Sequence, residues 1–164
     1  MKILLSCLIL IFFTFFQFSF LPHFGFLLYL NLPLCYLIIY RFFNKKFFLF
    51  LAPFAGLLLD IFSIFPKGFY TLIFFLEALL IDWWLNQFSY YSVFVNFIVA
   101  TLSTCFFQIL VLISIQILSW LKIVQWQIIL DAEYFNQFAF FIILNTLTIF
   151  LISQICLIIL KRTS

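Results

Sequence analysis

The chain reads as an all-α, polytopic integral membrane protein, with about six transmembrane helices in one bundle and residues 1–164 as a single transmembrane domain. Three observations predict this. Of 164 residues, 68% are hydrophobic and only 8% charged, whereas soluble chains carry about 25% charged residues. A fold this small leaves much of its surface outside the core, so lipid is the natural solvent for that surface. The apolar residues also come in unbroken runs such as LLSCLILIFFTFF, without the alternation of a membrane barrel strand. Finally, a bilayer-crossing helix needs about 20 apolar residues, and with short connections the chain holds five or six.

The segments follow in order. The first, about 3–21, follows Lys2 and ends at LPHFG. It has span length and no small-residue cleavage site follows, so it reads as an uncleaved helix. The second, about 26–43, contains Pro33. Proline suits the first turn of a helix starting near Asn31, or a bend within a longer helix; both readings stand. RFFNKK closes this segment. The third, about 47–65, carries Asp60, and PKG at 66–68 is a turn. The fourth, about 69–88, carries Glu77 and Asp82 and leads into the polar, aromatic NQFSYYS. The fifth, 91–121, is charge-free. About 30 helical residues reach about 45 Å against a hydrocarbon core of about 30 Å, so it must tilt, break or run on along the surface. LKIVQWQIILDAEYFNQ is the longest connection, and its Trp120 and Trp126 suit a membrane interface. The sixth segment, about 138–160, precedes KRTS.

Basic residues set the expected orientation. With six spans and the N-terminus in the cytoplasm, Lys2, Arg41, Lys45, Lys46, Lys161 and Arg162 lie inside. Only Lys67 and Lys122 then lie outside, which satisfies the positive-inside rule. Both termini are therefore expected in the cytoplasm, with His23 and residues 122–136 outside.

Several function classes are disfavoured. The net charge of +3 comes with no basic patch, so no nucleic-acid partner is expected. Cys7, Cys35, Cys105 and Cys156 lie far apart in apolar runs and read as small hydrophobes rather than disulfide or metal ligands. His23 is the sole histidine, and neither GxSxG nor HExxH occurs. An intramembrane aspartyl protease needs GxGD, where this chain has LLLD. The reading is a non-enzyme without cofactor or metal.

Asp60 is the residue that asks for an explanation. A carboxylate near a helix centre costs about 2.5–3.5 kcal/mol on insertion scales. Asp60 lies about six residues, or roughly 9 Å, from the PKG turn. Ala52, Gly56 and Asp60 share one helical face by their spacing of four. Small residues there let another helix approach closely, near enough to satisfy the acid. The resulting seam is internal or docks a partner's helix; both stay open. As an interhelical hydrogen bond, it predicts that Asn serves about as well as Asp. Glu77 faces Asp60 across the hairpin or points elsewhere, and Asp82 reaches the interface near WWLNQ. Thr101, Thr104 and Gln108 share a face, as do Asn145 and Thr148. These are expected to bond between helices, at about 1 kcal/mol or less each.

LNLPLCYLIIYRFFNKK followed by APFAGLLLDIFSIFPKGFYTLIFFLEALLI resembles the rod shape-determining protein MreD family, over about residues 31–90. Pro33, Gly56, Asp60, Ser63 and Gly68 occupy places that the family's pattern marks, while Ala52 stands where the family often has glycine. The resemblance implies a non-enzymatic inner-membrane component of the bacterial cell-elongation complex. Such a protein contributes to cell shape and lateral wall synthesis by docking partner membrane proteins. The implied partners are an MreC-like bitopic protein, the MreB filament, RodA and a class B penicillin-binding protein. Pro33, Ala52, Gly56, Asp60, Ser63 and Gly68 form the implied helix-packing or partner seam. The family is also similar to the six-helix substrate-binding subunits of energy-coupling-factor vitamin transporters, which supplies the alternative function.

The topology has a direct test. In a chain cleared of its four native cysteines, a cysteine at Glu133 should react with an impermeant reagent added to intact cells, and one at Thr163 should not. Labelling of position 163 from outside overturns the six-span arrangement.

Overall fold

A computed structural model describes residues 2–87, 93–123 and 131–163. They form six α-helices and one 3-10 segment. These are α1 (Lys2–Ser19), the 3-10 segment Leu21–Tyr29, α2 (Leu32–Phe43), α3 (Phe48–Phe62), α4 (Phe69–Gln87), α5 (Val93–Trp120) and α6 (Ala132–Thr163). No strand occurs among the described residues. The all-α expectation holds.

The helix ends differ from the expected ones for local reasons. α2 starts at Leu32, with Asn31 as its cap and Pro33 in its first turn, so the first of the two proline readings is correct. The residues before it, expected to be helical from Phe26, belong to the 3-10 segment, which kinks where Gly25 has φ +51°. α3 stops at Phe62, ahead of Pro66, rather than at Phe65. α6 starts six residues earlier than expected, because Asp131 Oδ1 accepts the Tyr134 N–H at 2.8 Å and caps it. α5 runs unbroken to Trp120, where a turn with Lys122 at φ +56° ends it. The expected boundaries at Phe88 and Tyr91, and the interface residue Trp126, lie outside the described residues.

These ends leave fewer helices of full span length than the six expected. α4, Phe94–Trp120 of α5 and Ala132–Ile159 of α6 are long and apolar enough to cross a membrane; α1, α2 and α3 are shorter apolar helices. At 1.5 Å per residue, α2 rises about 18 Å and α3 about 22 Å, against about 42 Å for α5 and 48 Å for α6. Six full-length spans were expected because hydropathy counts an apolar residue equally in a helix or in a turn. Leu21, Phe26 and Phe65 are apolar but lie outside the α-helices.

α2 is the central helix, in contact with α1, α3, α4 and α6, while α3–α4 and α5–α6 form the two most extensive pairs. The core is built from α2 (Leu34, Leu37, Ile38), α3 (Leu51, Ala55), α4 (Ile73, Phe74) and α5 (Val99, Phe107). Polar side chains lie inside: Ser103, Thr104, Asn145 and Ser153 are fully buried, while Phe12, Phe94, Leu151 and Ile158 are exposed. That polarity is inverted relative to a soluble bundle and suits a lipid surround, where polar groups face the bundle interior.

Aromatic contacts set the register of α4, α5 and α6. Phe107 meets Phe74 edge-on at 5.1 Å and stacks on Phe141 at 6.1 Å. One step away, the Thr104 and Thr146 hydroxyls share a hydrogen bond of 3.1 Å. Thr101 and Thr148 instead bond back to their own helices, at Phe97 O and Leu144 O, as hydroxyls on helices commonly do. Phe107→Ala should leave a cavity between three helices and lower the unfolding free energy by about 3–5 kcal/mol, read by denaturant titration in detergent micelles. A loss under about 1 kcal/mol would show that α4–α6 repack without it.

Candidate functional site

The expected seam lies inside the chain, between α3 and α4. Ala52 and Asp60 are buried on one stripe of α3, with Gly56 between them. A Cβ placed on Gly56 would lie 2.5 Å from Thr71 Cα and collide with the Tyr70 carbonyl oxygen as well. Backbone cannot move aside as a side-chain tip can, so any residue but glycine separates the helices.

This contact carries Asp60, one turn further on, to the start of α4. Its Oδ2 accepts from the backbone N–H of Gly68 (3.0 Å) and Thr71 (3.1 Å), and from the Thr71 hydroxyl (2.6 Å). Its Oδ1 accepts from the Tyr70 N–H at 2.8 Å. The Phe69 N–H bonds Pro66 O at 3.1 Å. A helix start leaves four N–H groups without intrahelical partners; here three go to Asp60 and one to the turn. α4 has no acidic residue in its own first turn, so the carboxylate favoured by the helix dipole arrives from α3. Gly68 has φ +93°, a region that L side chains rarely adopt, and this turns its N–H back toward Asp60.

The same turn closes α3. Lys67 Nζ donates to Asp60 O at 2.6 Å and to Ile61 O at 3.4 Å, a cation on the last carbonyls of a helix. The Ser63 N–H bonds Leu59 O at 2.9 Å and its hydroxyl lies 3.5 Å from Asp60 O. Gly56, Asp60, Ser63 and Gly68 thus meet at this turn and the helix contact beside it, while Ala52 is buried further back on the same stripe of α3. Asp60 was expected to be satisfied by a second helix; its partners are backbone N–H groups at the start of α4 together with the Thr71 hydroxyl.

Pro33 belongs to a second device of the same design. The Asn31 N–H donates to Asn145 Oδ1 of α6 at 2.8 Å. The Leu32 N–H donates to Gln17 Oε1 of α1 at 3.0 Å. The Leu34 N–H donates to Asn31 Oδ1 at 3.1 Å. Pro33 has no N–H, so no orphan donor remains at the start of α2. Asn145 also accepts from Cys35 Sγ at 3.2 Å and donates to Tyr29 O and Phe141 O at 2.8 and 2.7 Å. It was expected to bond between helices, and it does so to backbone.

Of the two readings for Glu77, the second holds: it does not reach Asp60, is 1% exposed, and neither carboxyl oxygen has a hydrogen-bond partner among the described residues. Asp82 binds Arg41, its Oδ1 accepting from Nε at 2.9 Å and Nη2 at 2.7 Å, and its Oδ2 accepts from Asn86 Nδ2 at 3.0 Å. Lys45 Nζ extends the chain of bonds to Asn86 Oδ1 at 2.9 Å. Arg41 is buried, with its guanidinium 5.9 Å from the Phe48 ring centre. The sequence places Arg41 near the end of the second segment as one of the cytoplasmic charges; the structure turns it inward onto Asp82. No cluster of three metal-ligating side chains occurs among the described residues.

Comparisons with protein-family models, curated proteins and solved structures found no match for the chain.

The bonding of Asp60 revises the expectation for its amide. Asn has one acceptor oxygen, and its NH2 would oppose N–H donors. Asp60→Asn should therefore destabilise by about 1–3 kcal/mol, Asp60→Leu by more, and Gly56→Ala should resemble Asp60→Leu by forcing α3 and α4 apart. Loss of helical signal on SDS titration of the purified protein measures this. Wild-type stability of Asp60→Leu would refute the capping role.

Proposed function

We propose that the chain is a non-enzymatic, multi-pass component of the bacterial cell-elongation complex in the inner membrane, where it docks partner membrane proteins and so supports rod shape. The observation that carries this reading is the convergence of Gly56, Asp60, Ser63 and Gly68 on one turn. Four of the residues that carry the MreD-like resemblance thus share a physical task, while Pro33 opens α2. A hairpin closed in this way presents α3 and α4 as a rigid unit.

Two further features support it. The Asp60 carboxylate is bound by four donors, and it cannot act as base or nucleophile without dismantling the first turn of α4. Its task is structural, as a docking subunit requires. The surface left over is apolar, with Leu57, Ile61, Leu72 and Leu79 exposed along α3 and α4, and suits lipid or another membrane helix. In this reading the Arg41–Lys45–Lys46 end faces the cytoplasm, both termini lie there, and the PKG turn faces outward. The partners are an MreC-like protein with one membrane helix, the MreB filament, RodA and a class B penicillin-binding protein.

Depletion separates this from the vitamin-transporter alternative. Rod-shaped cells should become round, and affinity purification from native membrane should recover the single-span partner. Loss of uptake of one nutrient with shape intact would replace the scaffold by the transporter subunit.

A further inference from the structure

Two cavities adjoin at the end of the bundle opposite the Arg41–Asp82 pair. One, of about 260 Å³, lies between the ends of α1 and α3. The other, of about 240 Å³, reaches Phe107 and Gln108 of α5 and Phe141 of α6. Gln17, Asn31 and Tyr70 line both, and neither is lined by a charged side chain. The nearest acid, Asp60, is bound by the start of α4.

The polarity is graded from mouth to interior. Phe18, Phe62 and Ile64 stand exposed at the mouth, with the Phe18 and Phe62 rings stacked at 5.1 Å. The interior offers hydrogen-bonding groups with capacity to spare. None of the described residues bonds to the Tyr70 hydroxyl or the Gln108 carboxamide, and Gln17 uses only its oxygen, on the Leu32 N–H. Depth agrees with this grading. α2 and α3, at about 18 and 22 Å, stop short of a hydrocarbon core of about 30 Å. Irregular backbone at such a depth persists only when buried in protein or lining a polar cavity. In the membrane-embedded reading, the exposed apolar mouth at the PKG end faces lipid.

We propose that this double cavity binds the uncharged sugar headgroup of a membrane glycolipid, whose acyl chains leave over Phe18, Phe62 and Ile64. Carboxamides and a phenol exchange hydrogen bonds with hydroxyls in both senses. Tyr29, Phe107 and Phe141 form an apolar part of the inner lining. No cation in the lining meets a phosphate, which disfavours the common phospholipids. An apolar mouth has no use for a soluble sugar. The inference rests on the membrane-embedded reading and on nothing else in the proposed function.

The full chain, reconstituted in nanodiscs containing phosphatidylglycerol, tests it. Monoglucosyl diacylglycerol or diacylglycerol is added, and lipid retained on the protein is read by native mass spectrometry. The glucosyl lipid should be retained over both others. Tyr70→Phe with Gln108→Leu, which keeps the Tyr70 N–H on Asp60, removes two hydrogen-bonding groups and should weaken retention about tenfold. Gln108→Lys adds a cation and should move the preference to phosphatidylglycerol. Equal retention of the three lipids, an undiminished preference in the double variant, or displacement of the glucosyl lipid by an equal concentration of free glucose would overturn the proposal. Because the protein is already in a bilayer, such results strike the headgroup site and leave the embedding and the cell-shape test standing.

Discussion

The fold depends on one carboxylate serving a helix other than its own. α4 begins inside the bundle, and its first N–H groups must find acceptors there. Asp60 reaches them only because α3 and α4 touch backbone to backbone at Gly56. The glycine sets the distance and the aspartate uses it. Lys67 answers from the opposite side by covering the last carbonyls of α3. One short turn thus satisfies two helix ends, where each unmet backbone group would cost several kcal/mol in hydrocarbon.

α2 repeats the solution with neutral groups. Its start is satisfied by Asn31, by Gln17 from α1 and by Asn145 from α6, while Pro33 removes the remaining donor. The difference in charge has a consequence. The start of α4 is neutralised by an acid and is closed. The start of α2 meets only carboxamides, and the two cavities lie beside it. Polar side chains are thus placed both where helices begin, as at α2 and α4, and along the inner faces of α5 and α6, where Ser103, Thr104, Asn145 and Ser153 are buried. Glu77 stands apart from this pattern, buried on α4 with neither carboxyl oxygen bonded among the described residues.

At the other end of the bundle, Arg41 and Asp82 tie α2 to α4. This is a charged counterpart of the neutral bonds around Asn145. α2 is consequently held at both ends, by α6 and α1 at its start and by α4 at its finish. A central helix of about 18 Å is fixed within longer neighbours, and that length mismatch creates the recess in which the cavities lie.

Composition and periodicity alone determine that the chain is helical, that its apolar residues face outward in quantity, and that Ala52, Gly56 and Asp60 share a face. These follow because helical spacing is a property of sequence positions. The spacing also implied a close helix contact, since a small residue matters only where something approaches. Tertiary structure alone decided what approaches. A carboxylate accepts from any donor, and neither backbone N–H groups nor their direction are written in residue identity, so the start of α4 could not be told from a polar flank. Likewise the partner of Arg41 was not legible until Asp82, 41 positions away, was set beside it. Helix lengths remained open for the same reason: apolar residues fill turns as readily as helices when lipid or protein covers both, and the caps at Asn31, Asp60 and Asp131, seen in contact with their N–H groups, mark where α2, α4 and α6 begin.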